Sequence, residues 1–168
     1  ASGRIYDRSS AETSRTLNMT WDADYVYFLV DMGTQNLGTD KINIAFDLDP
    51  GTTKGTTSAF GGAYYMDQYR PEVIFRVDGD NGNQNYKDEV SGGGWSNYTQ
   101  ITDPALMSNY LNGNLIEIRI ARSEITSNQA RLADGFGILV HLCNSSDELW
   151  DSFPLANPGI YDGSNKPM

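Results

Sequence analysis

Residues 16–56 constrain the fold of this chain more than any other stretch. They read TLNMTWDADYVYFLVDM and, after a polar gap, DKINIAFDLDPGTTKGT. Six consecutive apolar or aromatic residues within 24–32 predict a central strand that is covered on both faces. In 41–49 the apolar side chains of Ile42, Ile44, Phe46 and Leu48 alternate with polar or small ones. That alternation predicts one face towards the core and the other towards solvent or a site.

Strand patterns continue along the rest of the chain, and helical patterns are almost absent. Further strands are predicted at 17–21, 71–78, 94–101, 114–121 and 135–144, with a hairpin turn in DGDNGN. Residues 51–62, rich in Gly, Thr and Ser, predict a long loop. Residues 121–125 and 103–110 each predict one helical turn, the second because Asp103 and Pro104 suit a helix start. The sequence therefore predicts an all-β fold, an antiparallel β-sandwich of jelly-roll or immunoglobulin-like type with one or two short helical turns.

The composition is that of one acidic globular domain. The chain has 168 residues, 39% of them hydrophobic, so residues 1–168 are expected to form a single domain with its own core. The net charge of −10 would repel a phosphate backbone or an anionic membrane, which argues against nucleic acid and lipid surfaces as partners. No apolar run approaches the roughly 20 residues that cross a bilayer, so no membrane insertion is expected.

Residue usage also indicates a compartment. Cys143 is the only cysteine, and within the apolar run FGILVHLC it is expected to be a buried, unreactive thiol. No signal peptide is recognisable at Ala1, where the chain starts as if at a processing boundary. The abundance of Asn, Gly, Ser, Thr and Tyr is typical of a secreted or cell-surface bacterial protein, of which this domain would be one part.

Five phrases cover most of 16–159: TWDADYVYFLVDM, DKINIAFDLDPGTTKGT, PEVIFRVDGDNG, GNLIEIRIARSEI and LWDSFPLANPG. In this order they resemble the DOMON-like superfamily of β-sandwiches, most closely the branch similar to family 9 carbohydrate-binding modules. The opening segment of such domains, an Asp-Gly followed by an acidic-Trp pair, is not seen before Arg15. The resemblance implies a module that binds a small ligand, usually a sugar and in one branch haem.

A sugar site requires aromatic rings that stack on a pyranose, flanked by side chains that hydrogen-bond its hydroxyls. Trp95, in SGGGWSNYTQ with Tyr98 close behind, is the leading candidate; the equally weighted alternative is that Trp95 opens a strand and caps the core. The other candidates are Tyr64, Tyr65, Tyr69 and Arg70 in GGAYYMDQYRP, for which packing against a sheet edge is the alternative, and Trp150. Trp21, at the turn into a central strand, is expected to be structural.

Other residues suggest two candidate cofactors, calcium and haem. Asp47 and Asp49 lie two apart beside a carbonyl-rich loop and could supply oxygens to calcium, although a polar strand end explains them as well. A haem would use His141 with a methionine such as Met19, Met32 or Met66, but a lone His on a strand is more often structural.

No catalytic constellation accompanies these features. The single His and single Cys lie on one predicted strand, and no phosphate-binding glycine loop is present. We therefore expect a non-catalytic carbohydrate-binding module that takes a polysaccharide or oligosaccharide by aromatic stacking and hydrogen bonds, with any calcium serving the structure. The alternatives are a surface adhesion or assembly domain that binds protein, and a haem-binding DOMON domain.

Overall fold

Two antiparallel sheets face each other across a shared hydrophobic core, which confirms the predicted all-β sandwich. The computed structural model describes residues 2–9, 14–34, 37–58, 60, 63–65, 69–96, 98–133, 135–153 and 166–167; for 2–9, 14, 63, 64, 150, 166 and 167 only the backbone is described. In the core, the Phe46 ring meets the rings of Phe28 and Phe75 edge to face, with centroids 6.2 Å and 5.9 Å apart. Because Phe28 and Phe46 belong to different sheets, the first of these contacts holds the two sheets together, while Phe75 packs beside Phe46 within the second sheet.

The first sheet contains five strands. In spatial order they are β1 (Ser2–Ser9), β2 (Ser14–Trp21), β3 (Tyr25–Asp31), β11 (Leu115–Ala121) and β10 (Met107–Asn112). Every neighbouring pair is antiparallel, and β3 is central, as predicted. The strand β10 forms one edge of this sheet.

The second sheet is larger and mixes long and short strands. Its order is β13 (Leu149–Phe153), β12 (Gly137–Cys143), β4 (Lys41–Asp47), β6 (Val73–Asp78), β7 (Gln84–Ser91) and β8 (Gly94–Trp95), with β9 (Thr99–Ile101) also paired to β7. A separate parallel pair joins β5 (Ala63–Tyr64) to β14 (Lys166–Pro167). The helical elements are α1 (Arg122–Ile125), α2 (Gln129–Ala133) and a 3₁₀ turn at Gly79–Asn81.

The helical turn predicted at 103–110 is wrong. Asp103 does start a turn, since its carboxylate accepts the N–H of Ala105 and its carbonyl accepts the N–H of Leu106. The chain then leaves this turn as β10 and pairs along its whole length with β11. Pairing with a strand that buries Ile116, Ile118 and Ile120 outweighs a local preference for a helix.

The burial of two strands is the reverse of the prediction. In β3 buried and half-buried residues alternate, so its outer face is open, whereas every residue of β4 is buried. The outer face of β4 is covered by the connection that follows it, where Phe60, Tyr65 and Tyr69 pack over the second sheet. The outer face of the first sheet, not that of the second, therefore offers the longer exposed surface on described strands.

Candidate binding site

The turn between β2 and β3 is fixed by one aspartate. The Asp22 carboxylate accepts the backbone N–H groups of Asp24 and Tyr25, each at 2.8 Å, and the hydroxyl of Tyr27 at 2.8 Å. The pKa of Asp22 is lowered by the Asp24 N–H first and by the Tyr27 hydroxyl next. The same bond to Asp22 raises the pKa of Tyr27, so its hydroxyl stays protonated and oriented.

A second tight turn joins β10 to β11. Asn112 pairs with Leu115, leaving two residues between them, and the first of these, Gly113, has a φ of 62°. A positive φ at this position suits a two-residue hairpin turn and is readily adopted by glycine. The turn is anchored to the end of β3, because the Asn114 side chain donates to Asp31 at 2.7 Å.

The two hairpins align their outward side chains in rows across four strands. Register places Thr20 beside Tyr27, Tyr27 beside Arg119, and Arg119 beside Ser108. The next row consists of Asn18, Leu29, Glu117 and Tyr110. Aromatic, apolar and hydrogen-bonding groups therefore alternate over one face.

These rows line a depression of about 730 Å³ on the first sheet, which we call the outer groove. Its members from the two rows are Asn18, Thr20, Tyr27, Leu29, Ser108, Tyr110, Glu117 and Arg119. Tyr110 is 65% exposed although it lies within a strand, so its ring is presented to solvent. Exposed aromatic rings beside polar side chains are typical of a ligand-binding surface.

Arg119 is held in place at one side of the outer groove. Its guanidinium lies 4.6 Å from the centroid of the Tyr25 ring, and its Nη2 donates to the carbonyl of Pro104 at 2.7 Å. Tyr25 and Tyr27 in turn lie with ring centroids 6.0 Å apart. This stack makes the arginine end of the groove rigid before any ligand binds.

Three residues proposed from the sequence lie instead in an aromatic cluster over the second sheet. The Trp95 ring meets Phe60 at 5.4 Å and Tyr65 at 6.0 Å, and its Nε1 donates to the Ser58 carbonyl at 3.1 Å. Tyr65 is buried, and Tyr69 donates to the carbonyl of Ala45 at 2.6 Å. These contacts give each residue a packing role in covering the sheet.

Gly137 shows how tightly that cluster packs. A Cβ atom at Gly137 would lie 2.7 Å from a ring carbon of Tyr69, so the glycine makes the space that the tyrosine occupies. The aromatic cluster is therefore part of the fold's second, smaller core.

Of the remaining sugar candidates, Tyr98 borders the aromatic cluster, since its ring centroid lies 6.3 Å from that of Phe60. Tyr98 is 48% exposed and stacks on Tyr86 with centroids 4.7 Å apart, on the second sheet and away from the outer groove. The half-buried Arg70 donates its backbone N–H to Asp47 at 3.2 Å. The side chains of Tyr64 and Trp150 lie outside the described part of the chain. Trp21, expected to be structural, is 45% exposed.

The carboxylates of Asp47 and Asp49 are engaged locally. Asp47 accepts the backbone N–H groups of Asp49 and Arg70, while Asp49 pairs with Lys54 at 2.8 Å and Arg131 at 2.5 Å. Among the described residues no group of three or more His, Cys, Asp or Glu side chains is placed to hold a metal ion. Calcium at this position stays a prediction.

His141 is buried beneath the aromatic cluster on the outer side of β12. Its Nε2 lies 3.1 Å from the Phe60 carbonyl, and the ring meets Tyr65 at 6.2 Å. Met19 and Met32 pack with the core on the inner side of the sheets, so the structure does not bring them to His141. Met66 lies outside the described residues.

Because His141 is buried, the free energy of unfolding is expected to depend on pH. Burial first, and the nearby Arg76 charge next, lower the pKa of His141 from 6.5 to about 3. Below pH 6.5 the His141 imidazole is protonated in the unfolded chain but stays neutral in the folded chain, so stability falls as the pH drops towards 3. The expected loss is about 2 kcal/mol between pH 7 and pH 5, measured by urea unfolding at each pH.

A His141→Gln variant provides the control for this pH dependence. Glutamine keeps an N–H donor for the Phe60 carbonyl but does not titrate, so its unfolding free energy should stay nearly constant over the same range. Burial raises the pKa values of Asp40, Asp47 and Glu72, which adds stability on acidification and cannot cause the loss. An equal loss in His141→Gln would show that His141 is not responsible.

No family model, no curated protein and no solved structure matches this chain. The DOMON-like resemblance therefore stays a prediction. Within the described residues no helix is long and apolar enough to cross a membrane.

Proposed function

We propose that this chain is a non-catalytic carbohydrate-binding module of a secreted or cell-surface protein, with its site in the outer groove. The observation that carries the proposal is the pair of tyrosines, Tyr27 and Tyr110, set among hydrogen-bonding side chains on an open sheet face. Tyrosine rings can stack on the apolar face of a pyranose. The amide of Asn18 and the hydroxyls of Thr20 and Ser108 can both donate to and accept from sugar hydroxyls.

The groove also supports binding rather than hydrolysis. Cleavage of a glycosidic bond normally uses two carboxyl groups that flank the bond. Of the described residues that line the outer groove, Glu117 alone carries a carboxylate. A sugar held there would meet one acidic group and no acidic partner from the lining.

Two exposed tyrosines on opposite sheets give a matched test. Tyr110→Ala should weaken polysaccharide binding at least about tenfold, a loss of ~1.4 kcal/mol. Tyr98→Ala should leave binding unchanged, because Tyr98 lies on the second sheet with Tyr86. Binding would be measured by affinity gel electrophoresis with xylan, hydroxyethyl cellulose, glucomannan and β-1,3-glucan, and circular dichroism would confirm that both variants fold.

The pattern of losses decides between the candidate positions. If Tyr98→Ala loses retention and Tyr110→Ala does not, the site lies on the second sheet, near the sequence candidates. If the folded wild-type protein is retarded by none of the four polysaccharides, the carbohydrate proposal fails.

One observation favours a second candidate function, an adhesion or assembly domain that binds protein. Leu115 is 37% exposed on β11, on the same sheet as Tyr110 and Trp21, and exposed apolar side chains are common in protein interfaces. This function would be supported instead if the folded wild-type chain bound none of the polysaccharides but bound a protein partner, and if the Leu115→Asp variant no longer bound that partner.

A further inference from the structure

A second depression adjoins the outer groove at the edge of the sheet. It has a volume of about 490 Å³, follows β10 and is lined on its far side by Gly82, Asn83, Thr102 and Pro104; we call it the edge depression. Both hollows share Ser108, Asn109 and Tyr110. The exposed Tyr110 therefore stands where one hollow passes into the other.

The boundary between the hollows is built from fixed hydrogen bonds. Asn109 donates through Nδ2 to the carbonyl of Asn83 at 2.7 Å and to Oδ1 of Asn85 at 2.8 Å. Asn85 donates to the carbonyl of Met107 at 3.3 Å. These bonds tie the edge strand to the hairpin of the second sheet, so the edge depression is formed before a ligand arrives.

The combined surface is long. Neighbouring strands lie about 4.8 Å apart, so the rows from β2 to β10 cross three spacings, or about 14 Å, before the edge depression begins. A single sugar ring would fill only part of this length. A chain that crosses the rows and continues past Tyr110 would contact both hollows.

The charge of the surface indicates whether the bound glycan is neutral or charged. Glu117 and Arg119 bring one charge of each sign to the outer groove, and the whole chain has a net charge of −10. A polyanionic glycan would be repelled at long range by such a protein. A neutral glycan would not, and its hydroxyls can use both donors and acceptors.

Resting on the carbohydrate-binding proposal, we infer that the site takes an internal stretch of a neutral polysaccharide chain, which runs from the outer groove over Tyr110 into the edge depression. The site is thus a continuous track and not a pocket for one terminal sugar. Affinity should rise with chain length and should not depend on the terminal ring.

Oligosaccharides of increasing length test whether the site binds an internal stretch of the glycan. Cello-, xylo-, manno- and laminari-oligosaccharides from disaccharide to hexasaccharide would be titrated calorimetrically, each with its reducing end intact and after borohydride reduction. For the series that binds, affinity should increase at least about tenfold from disaccharide to hexasaccharide and be unaltered by reduction of the hexasaccharide. Alginate, a polyuronate, should not bind.

Asn83→Gly is a mild variant for the edge depression. Asn83 has a φ of 62°, which glycine adopts without strain, and the carbonyl that accepts from Asn109 is retained. The variant removes only the side-chain amide, so hexasaccharide affinity should fall about fivefold, the loss expected for one hydrogen bond. Disaccharide affinity should be unchanged.

The outcomes separate this inference from the function on which it rests. Affinity that is already maximal at the disaccharide, that is lost on borohydride reduction, or that is higher for alginate overturns the inference and leaves a carbohydrate-binding module. Absence of binding to every oligosaccharide and to the four polysaccharides overturns both.

Discussion

Replacing Arg15 by methionine is expected to destabilise the fold by about 3–5 kcal/mol. Arg15 lies on β2 of the first sheet, and its Nη1 donates to Oδ2 of Asp151, on β13 of the second sheet, at 2.6 Å. The two side chains are 8% and 0% exposed. Loss of the guanidinium would leave the buried Asp151 carboxylate without the positive charge of Arg15, and guanidinium chloride unfolding would measure the cost.

Two further variants show whether burial of the charge is the cause. Arg15→Met combined with Asp151→Leu removes both charges and should recover most of the lost stability, because apolar replacements of a buried pair are often neutral. Lys54→Ala breaks a pair in which the lysine side chain is 69% exposed, so it should cost less than about 1 kcal/mol. An Arg15→Met variant no less stable than Lys54→Ala would contradict the argument.

Much of the strand content could be predicted, because a strand with one buried face has apolar residues at every second position in the sequence. The alternation of Ile116, Ile118 and Ile120 with Glu117 and Arg119 identified β11 and the orientation of its faces. The strands β4 and β6 were indicated in the same way, whereas β12 was predicted within the apolar run FGILVHLC. The strand β10 was missed because a favourable turn at Asp103 precedes it and its pairing with β11 is a tertiary effect.

The candidate site was harder to predict, since exposure of a sheet face depends on what the loops cover. Apolar and aromatic residues on both sides of β3 predicted cover on both faces, yet its outward residues Tyr27 and Leu29 line an open groove. Tyrosine permits this because its ring packs on the sheet while its hydroxyl finds a polar partner, as the hydroxyl of Tyr27 does in the Asp22 carboxylate. In β4, the alternation of apolar and polar residues predicted that Asn43 and Asp47 lie on an exposed face. Both are buried, because the aromatic connection after β4 covers that face.

One sequence pattern could have located the groove. Tyr25 and Tyr27 share a face of β3, and Glu117 and Arg119 share a face of β11. Had these strands been predicted as neighbours, the tyrosines would have been placed beside charged, outward side chains. The missing information was strand order, which periodicity within one strand does not contain.

Trp95→Ala is expected to lower the free energy of unfolding by about 3 kcal/mol, at the low end for loss of a tryptophan because the ring is half-buried. Its ring meets Phe60 and Tyr65 edge to face, and the Arg76 guanidinium lies 4.7 Å from the Phe60 centroid on the same surface. Truncation would open a cavity above Ala45, Ile74 and Leu139, which the cluster covers. Urea unfolding would measure the loss.

The same variant separates packing from binding at Trp95. Trp95→Phe keeps a ring against Phe60 and Tyr65 but cannot donate to the Ser58 carbonyl, so it should cost only about 1 kcal/mol. At a temperature where both variants are fully folded, each should bind polysaccharide as tightly as the wild type, because Trp95 lies on the sheet opposite the outer groove. A Trp95→Ala protein that keeps wild-type stability but loses retention on xylan, hydroxyethyl cellulose, glucomannan or β-1,3-glucan would move the binding site to the Trp95 loop.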